Sequence, residues 1–287
     1  MEFRHYKNSD YDALIDFLIR LNNEGRNHIN WSWARLEWMI EHPETDRSKL
    51  DTIGLWWEED SIVGAAIYDM YHGEAFCGAL KAYADILPKI LDYAYHNLKD
   101  EGGLGIAICS EDSQMIDLAT QLGYQPADQS ETILTLDLDH FLPSKLPGDI
   151  TMKEFDPAED PYEFAWLLWQ GFDHGNDKAE FEREDPKERQ LRPHLNKRLS
   201  LAAVDSAGKM AGYVCLWYSS KTDYAYVEPV CTVPEYRNRG ISKALLAEAF
   251  SRVKMLGAKR AIVISEMDFY KKLGFAEDAL FSFYWKE

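Results

Sequence analysis

The residues of this chain best suited to chemistry form a basic, glycine-bearing turn, Arg237-Asn238-Arg239-Gly240-Ile241-Ser242. Peptide N–H groups at a helix start have no partner inside the helix and lie at the positive end of its dipole, so a phosphate held there gains several hydrogen bonds. Gly240 lets the backbone approach such a ligand and adopt torsions closed to other residues. An ordinary strand-to-helix turn with two surface arginines would have the same composition, so the flanking elements decide between the two. Upstream, residues 224–233 are dense in aromatic and branched side chains, which predicts a strand. Downstream, Leu245, Leu246, Ala249, Val253 and Leu256 recur at helical spacing until Gly257, which predicts a helix and its stop.

Two ionisable groups stand near that turn in the sequence. Tyr270, in Phe269-Tyr270-Lys271-Lys272-Leu273-Gly274-Phe275, carries a phenol that is protonated at neutral pH and able to hand a proton to a departing anion. Packing half-buried on a sheet is the other role open to it. Glu228 lies in the strand before the turn and would act as a base if its side chain faced substrate. Strand side chains alternate between faces, and Pro229 marks an edge or a bulge, so a base and a buried, hydrogen-bonded carboxylate both stay open. Trp169, Phe172, Asp173 and His174, ahead of the charged stretch 178–198, would form an aromatic and acidic pocket for an ammonium group. Core tryptophans beside a solvated, charged helix would leave the same pattern.

The turn resembles motif A of the GCN5-related N-acetyltransferase (GNAT) superfamily, which reads Arg or Gln, any two residues, Gly, any residue, then Gly or Ala. Arg237 and Gly240 fit, and Ser242 departs by one small side chain. The segment ending Leu273-Gly274-Phe275 resembles motif B, with Tyr270 at the position of a tyrosine that many members use as general acid. Ser265-Glu266-Met267-Asp268 departs, being short and lacking the Asn common there. The resemblance implies acetyl-CoA as acyl donor. N–H groups from Asn238 through Arg239, Gly240 and Ile241 to Ser242 would hold its diphosphate, and Cys231, Thr232 and Val233 would border its pantetheine arm, with N–H groups near Thr232 and Val233 polarising the thioester. It further implies direct attack by a primary amine of a small, cationic acceptor, a proton taken through water by Glu228, a proton given by Tyr270, and no metal. Two other outcomes stay open: a CoA-binding sensor or partner-binding protein without turnover, and a tandem transferase of a larger acyl group.

An internal repeat organises the elements that must position these residues. Phe3-Arg4-His5-Tyr6 with Asp10 and the stripe Leu14, Phe17, Leu18, Leu21 is answered by Ile150-Thr151-Met152-Lys153 with Asp160 and Phe164, Leu167, Leu168. Leu122-Gly123-Tyr124 likewise answers Leu273-Gly274-Phe275. The expected fold class is therefore α/β, with two tandem GNAT-like domains, each a mixed, mostly antiparallel sheet flanked by helices. The expected boundaries are 1–143, a Pro- and Gly-bearing linker at 144–149, and 150–287. The first copy lacks the Arg-x-x-Gly pattern, reading Cys77-Gly78-Ala79-Leu80-Lys81, and holds Ala119 where the second holds Tyr270, so it is expected to be non-catalytic.

Charge divides the same way. Residues 1–145 carry a net charge of −15 and residues 146–287 a net charge of −3, within −18 for the 287-residue chain. That field disfavours nucleic acid and anionic membranes as partners and favours a cationic small molecule, although an acidic excess also simply keeps a protein in solution. Cys77, Cys109, Cys215 and Cys231 fall in apolar runs without CxxC or CxxH spacing, which argues for packed, reduced thiols and against zinc. No apolar run is long enough to span a bilayer, and the polar first residues lack a signal peptide's apolar core, so the expected setting is cytoplasmic, as a monomer or homodimer.

Overall fold

The computed structural model describes residues 1–184 and 193–287. The chain forms two compact units. The first comprises Met1–Ile133, Ile264–Glu266 and Glu277–Glu287; the second comprises Leu134–Val263 and Met267–Ala276.

In the first unit the elements run β1 (Glu2–His5), α1 (Tyr11–Asn23), α2 (Trp33–Glu41), β2 (Gly54–Glu58), β3 (Ser61–Asp69), β4 (Tyr71–Ala79), α3 (Leu87–Asn97), β5 (Leu104–Cys109), α4 (Ser113–Gln121) and the start of β6 (Gln125–Asp137). β1 to β4 are antiparallel neighbours in order. β4 then pairs in parallel with β5 through only Glu74↔Gly105 and Ala75↔Ile106. The stripe expected on α1 is its core face, since Leu14, Phe17, Leu18 and Leu21 are all buried.

In the second unit β7 (Ile150–Glu154) and α5 (Pro161–Gly171) open the repeat, followed by α6 (Lys178–Glu184), β8 (Ser200–Asp205), β9 (Met210–Tyr218), β10 (Tyr224–Thr232), α7 (Ile241–Leu256), β11 (Arg260–Ile264) and α8 (Asp268–Lys272). Part of the charged stretch 178–198, residues 185–192, lies outside the described residues. Asp160 caps α5 as its position suggests, its carboxylate accepting from the Glu163 N–H at 3.1 Å. α7 buries Leu245, Leu246, Ala249 and Val253 and ends at Gly257, whose φ of 114° is left-handed. Leu256, expected in that stripe, is exposed because it is the last helical residue. β7 to β10 are antiparallel in order and β10 is parallel to β11, so each unit has the mixed, mostly antiparallel sheet expected.

The break between the units differs from the expected linker. Residues 144–149 lie inside the second unit, and the division falls within β6, between Ile133 and Leu134. The reason is packing: Leu134, Leu136 and Leu138 alternate into the core that holds Leu245, Phe250 and Phe275. The final strand, β12 (Ala276–Lys286), belongs almost wholly to the first unit, where Phe281–Lys286 pairs antiparallel with Cys109–Leu104 of β5. The last strand of the second repeat thus completes the first repeat's sheet. Deleting residues 277–287 is accordingly expected to speed amide exchange in β5 by at least tenfold while β9 and β10 keep their protection. Loosening confined to β8–β10 would contradict this placement of β12.

Candidate active site

The site begins where two parallel strands part. β10 pairs with β11 through Tyr224↔Arg260, Ala225↔Ala261 and Tyr226↔Ile262, and beyond Tyr226 its β11-facing edge has no partner in that register. On its other edge β10 stays paired with β9 to Thr232↔Gly212, with an irregularity between Val227 and Val230. A cavity of about 610 Å³ opens at the splayed ends, walled by the end of α5, the end of β10, the turn into α7, and α8.

The turn has the geometry of an anion site. Gly240 is the residue before α7, has φ 77°, and no side chain caps the helix. A Cβ placed on Gly240 would meet no atom within 4 Å, so it is the left-handed backbone, not crowding, that calls for glycine there. Asn238 is also left-handed, at φ 61°. Ala244 is the first residue to donate back into the turn, to Gly240 O at 3.0 Å, which leaves the N–H groups of Ile241, Ser242 and Lys243 to the cavity they line. Ser242 fits in spite of its side chain because its Oγ lies 2.5 Å from Thr232 Oγ1, turned to the strand end. Open space at Gly240, an uncapped helix start and a left-handed approach together fit the diphosphate of a CoA-type donor.

The basic side chains are used differently from what the motif suggests. Arg237 is a strut: its Nε donates to Thr232 O at 3.0 Å, one terminal nitrogen to Gly171 O at 2.9 Å, and the other pairs with Asp173 at 2.9 Å. Arg239 pairs with Asp149 at 2.5 Å and stands over the Tyr236 ring, whose hydroxyl donates to Asp205 at 2.7 Å. Lys243, a wall residue missed by the sequence reading, is exposed and forms no ion pair with the described residues, so it is a cation free to meet a phosphate. Its only signal in sequence was its place in the first turn of the helix.

Tyr270 lies in the cavity wall, 7% exposed, held by α8 with its ring edge-on to Phe275 at 5.5 Å. Burial first, and the charge of Glu228 second, push its phenol up. Glu228 sits at the irregularity of β10 and is not part of the cavity wall, though its backbone oxygen accepts from Trp217 Nε1 at 2.7 Å. Cys231 lines the cavity but is 4% exposed, and burial pushes its thiol up to about 12. A neutral thiol is a poor nucleophile, which supports the packing role. Val233 departs from expectation. Its N–H, expected to face the donor, is given to Ala211 O at 3.0 Å, because the strand pairing with β9 extends one residue past β10.

The four residues expected to form an ammonium pocket do not gather. Phe172 and Asp173 line the cavity, Phe172 with 48% of its surface exposed. Trp169 and His174 instead face each other at 4.9 Å outside that wall, and Asp173 is occupied by Arg237. The apolar lining residues Phe172, Val230, Met267 and Phe269 were not foreseen, since they come from three separate elements. Among the described residues no group of three or more His, Cys, Asp or Glu could hold a metal ion.

The first unit has a cavity of about 420 Å³ in the corresponding place, between the end of α1, Ala79 at the end of β4, the turn after it, and α4. There the anion position is already taken. Glu24, just past α1, accepts the Lys81 N–H at 2.8 Å, and the Lys81 ammonium donates to Glu24 O. An internal carboxylate on the turn supports the non-catalytic reading of this repeat.

The thiol of Cys231 gives a direct test of the site's chemistry. Its raised pKa favours the protonated form in the folded protein, so the stability it contributes is complete below about pH 8.5 and is lost as pH rises towards 12. Native protein at pH 8 is expected to resist alkylation of Cys231 for hours, and Cys231→Ala to keep most of any transferase activity. Rapid labelling of the native thiol, or activity lost with the sulfur, would instead assign it a nucleophile's role.

Residues 160–275 match the family model described as the Acetyltransferase (GNAT) family. None of the curated proteins matches the sequence. Among solved structures, a tandem GNAT protein from the clavulanic acid biosynthesis pathway is 14% identical with a TM-score of 0.60, covering 99% of this chain and 97% of that one. A GCN5-related N-acetyltransferase from Sphaerobacter thermophilus is 16% identical with a TM-score of 0.57, covering 100% and 95%. A GNAT-family acetyltransferase from Colwellia psychrerythraea is 11% identical with a TM-score of 0.57, covering 100% of both chains. At these identities the likeness is one of fold, and it extends over both repeats. Residues 160–275 thus resemble the acetyltransferase (GNAT) family, within a chain whose fold is that of tandem GNAT-like proteins.

Proposed function

We propose that this protein is an N-acetyltransferase that uses acetyl-CoA to acylate the primary amine of a small molecule, by direct attack and without a covalent enzyme intermediate. The observation that carries the reading is the uncapped start of α7 behind left-handed Gly240, open to a cavity that also contains Tyr270. When bound, the donor supplies an activated thioester; the chain's own residues do the rest. The N–H groups at the start of α7 bind the diphosphate, with Lys243 adding charge. The apolar wall of Phe172, Val230, Met267 and Phe269 excludes water from the arm of the donor. Peptide groups on the open edge of β10 are the donors available to polarise the thioester carbonyl, a contribution of about 3 kcal/mol for one well-placed group.

Tyr270 holds the proton that the departing sulfur needs. Its raised pKa makes it a weaker acid in the folded site, but a thiolate leaving against the same wall is itself poorly solvated. The phenol therefore remains protonated throughout the neutral range and donates where charge develops. Glu228, near enough for its charge to act on Tyr270, is the carboxylate available to accept the amine's proton through water. The first repeat is proposed not to turn over, and the acceptor to be cationic in keeping with the acidic chain.

Calorimetry with acetyl-CoA, followed by thiol release across a panel of amines, tests the reading. One equivalent of acetyl-CoA per chain is expected, and Gly240→Glu is expected to abolish binding by setting a carboxylate in the space of the diphosphate. Tyr270→Phe is expected to lower kcat by about 10²–10⁴ with donor affinity unchanged. Because the phenol's pKa is raised, kcat is also not expected to fall on the alkaline side before pH 10. Binding without thiol release on any amine would instead favour a CoA sensor, and a preference for longer acyl donors would favour a larger acyl group.

A further inference from the structure

Two features of the donor cavity are left unexplained by acyl transfer alone: Arg237 faces the anion site while its charge is spent on a neighbour, and that neighbour, Asp173, is itself part of the wall. Two of the contacts of Arg237 are to backbone carbonyls, Thr232 O and Gly171 O, and tie the end of β10 to the end of α5. The third, to the Asp173 carboxylate at 2.9 Å, links side chains that are 37% and 64% exposed. The two carbonyl bonds serve structure whatever the ligand, whereas the carboxylate contact is exposed and exchangeable. Asp173 is also held in the left-handed region at φ 65°, at the cavity wall, with its carboxylate on Arg237.

The same device recurs in the first repeat in a closed form. There Glu24, also just past the first helix, sits directly on the Lys81 N–H of the corresponding turn. In both repeats the end of the first helix presents an internal carboxylate to the anion position. In the first it covers the backbone donor, and in the second it engages only the arginine, leaving the start of α7 open.

We infer that Asp173 is an internal counter-anion for Arg237, displaced when the donor's diphosphate enters, so that Asp173 sets the donor affinity of the site. This rests on the donor reading of the cavity. A diphosphate at the start of α7 brings negative charge beside the Arg237–Asp173 pair. Arg237 keeps its two carbonyl bonds and turns its third side to the phosphate, and the Asp173 carboxylate, now repelled, leaves for solvent. Asp173 is thereby a positioning residue that opposes donor binding, and CoA affinity reports the difference between its pair with Arg237 and the pair with phosphate.

The test is calorimetry of the full chain with CoA and with pantetheine, which lacks the diphosphate, for wild type, Asp173→Asn and Asp173→Gly. Asn and Gly both accept a left-handed backbone, so either variant preserves the loop. Removing an exposed competing charge is expected to tighten CoA by about two- to fivefold in both variants, with pantetheine affinity unchanged. The dependence on diphosphate is what a merely structural role would not produce. Equal CoA affinity in wild type and variants, weaker affinity in the variants, or equal tightening of pantetheine would each overturn the inference while leaving the donor site intact. Wild-type protein that binds no CoA would overturn the donor reading itself and the counter-anion role with it.

Discussion

The start of α7 is the constraint from which the rest of the site follows. A helix must leave its first N–H groups without helical partners, and most helices cover them with a side chain. Here the preceding residue is glycine in a left-handed conformation, no side chain caps the helix, and the space beyond is open. The partial positive charge at that end is uncompensated by the protein. Such a terminus can be kept only if the helix is stabilised elsewhere, and it is: Leu245, Leu246, Ala249, Phe250 and Val253 lock α7 into the core of the second unit.

Around that terminus a few contacts set the rest of the cavity. Arg237 draws together the ends of α5 and β10, so that the walls of the cavity are set by one guanidinium acting on two carbonyls. The splay of β10 from β11 after Tyr226 opens the strand end onto the cavity. Burial of Tyr270 keeps its proton in place, and burial of Cys231 keeps its thiol inert. One environment thus retains the proton on both groups. The first unit repeats the architecture with Glu24 on the turn and Ala119 in place of the tyrosine, so the fold persists where the charge logic is reversed.

Much of this was legible in the sequence because it depends on local rules. The strand, turn and helix of 224–257 follow from β-branched density, one glycine and a 3.6-residue stripe, and the repeat is visible in its paired beginnings and endings. What could not be read depends on contacts distant in sequence. That Arg237 would be drawn to Gly171 and Asp173 requires knowing that α5 ends beside the turn. That Val233 would give its N–H to Ala211 requires the register of β9. The placement of β12 beside β5, far from its own repeat's strands in order, has no local signature, since Ala279, Phe281 and Phe283 alternate as any half-buried strand does.

The most direct test of the central claim is amide hydrogen exchange of the full chain with and without acetyl-CoA, since it reports where the donor sits as well as whether it binds. If the start of α7 is the donor site, protection will appear in residues 238–243 and at the open end of β10, and residues 79–87 of the first repeat will exchange unchanged. Protection at 79–87 instead, or none at 238–243 under saturating acetyl-CoA, would contradict it.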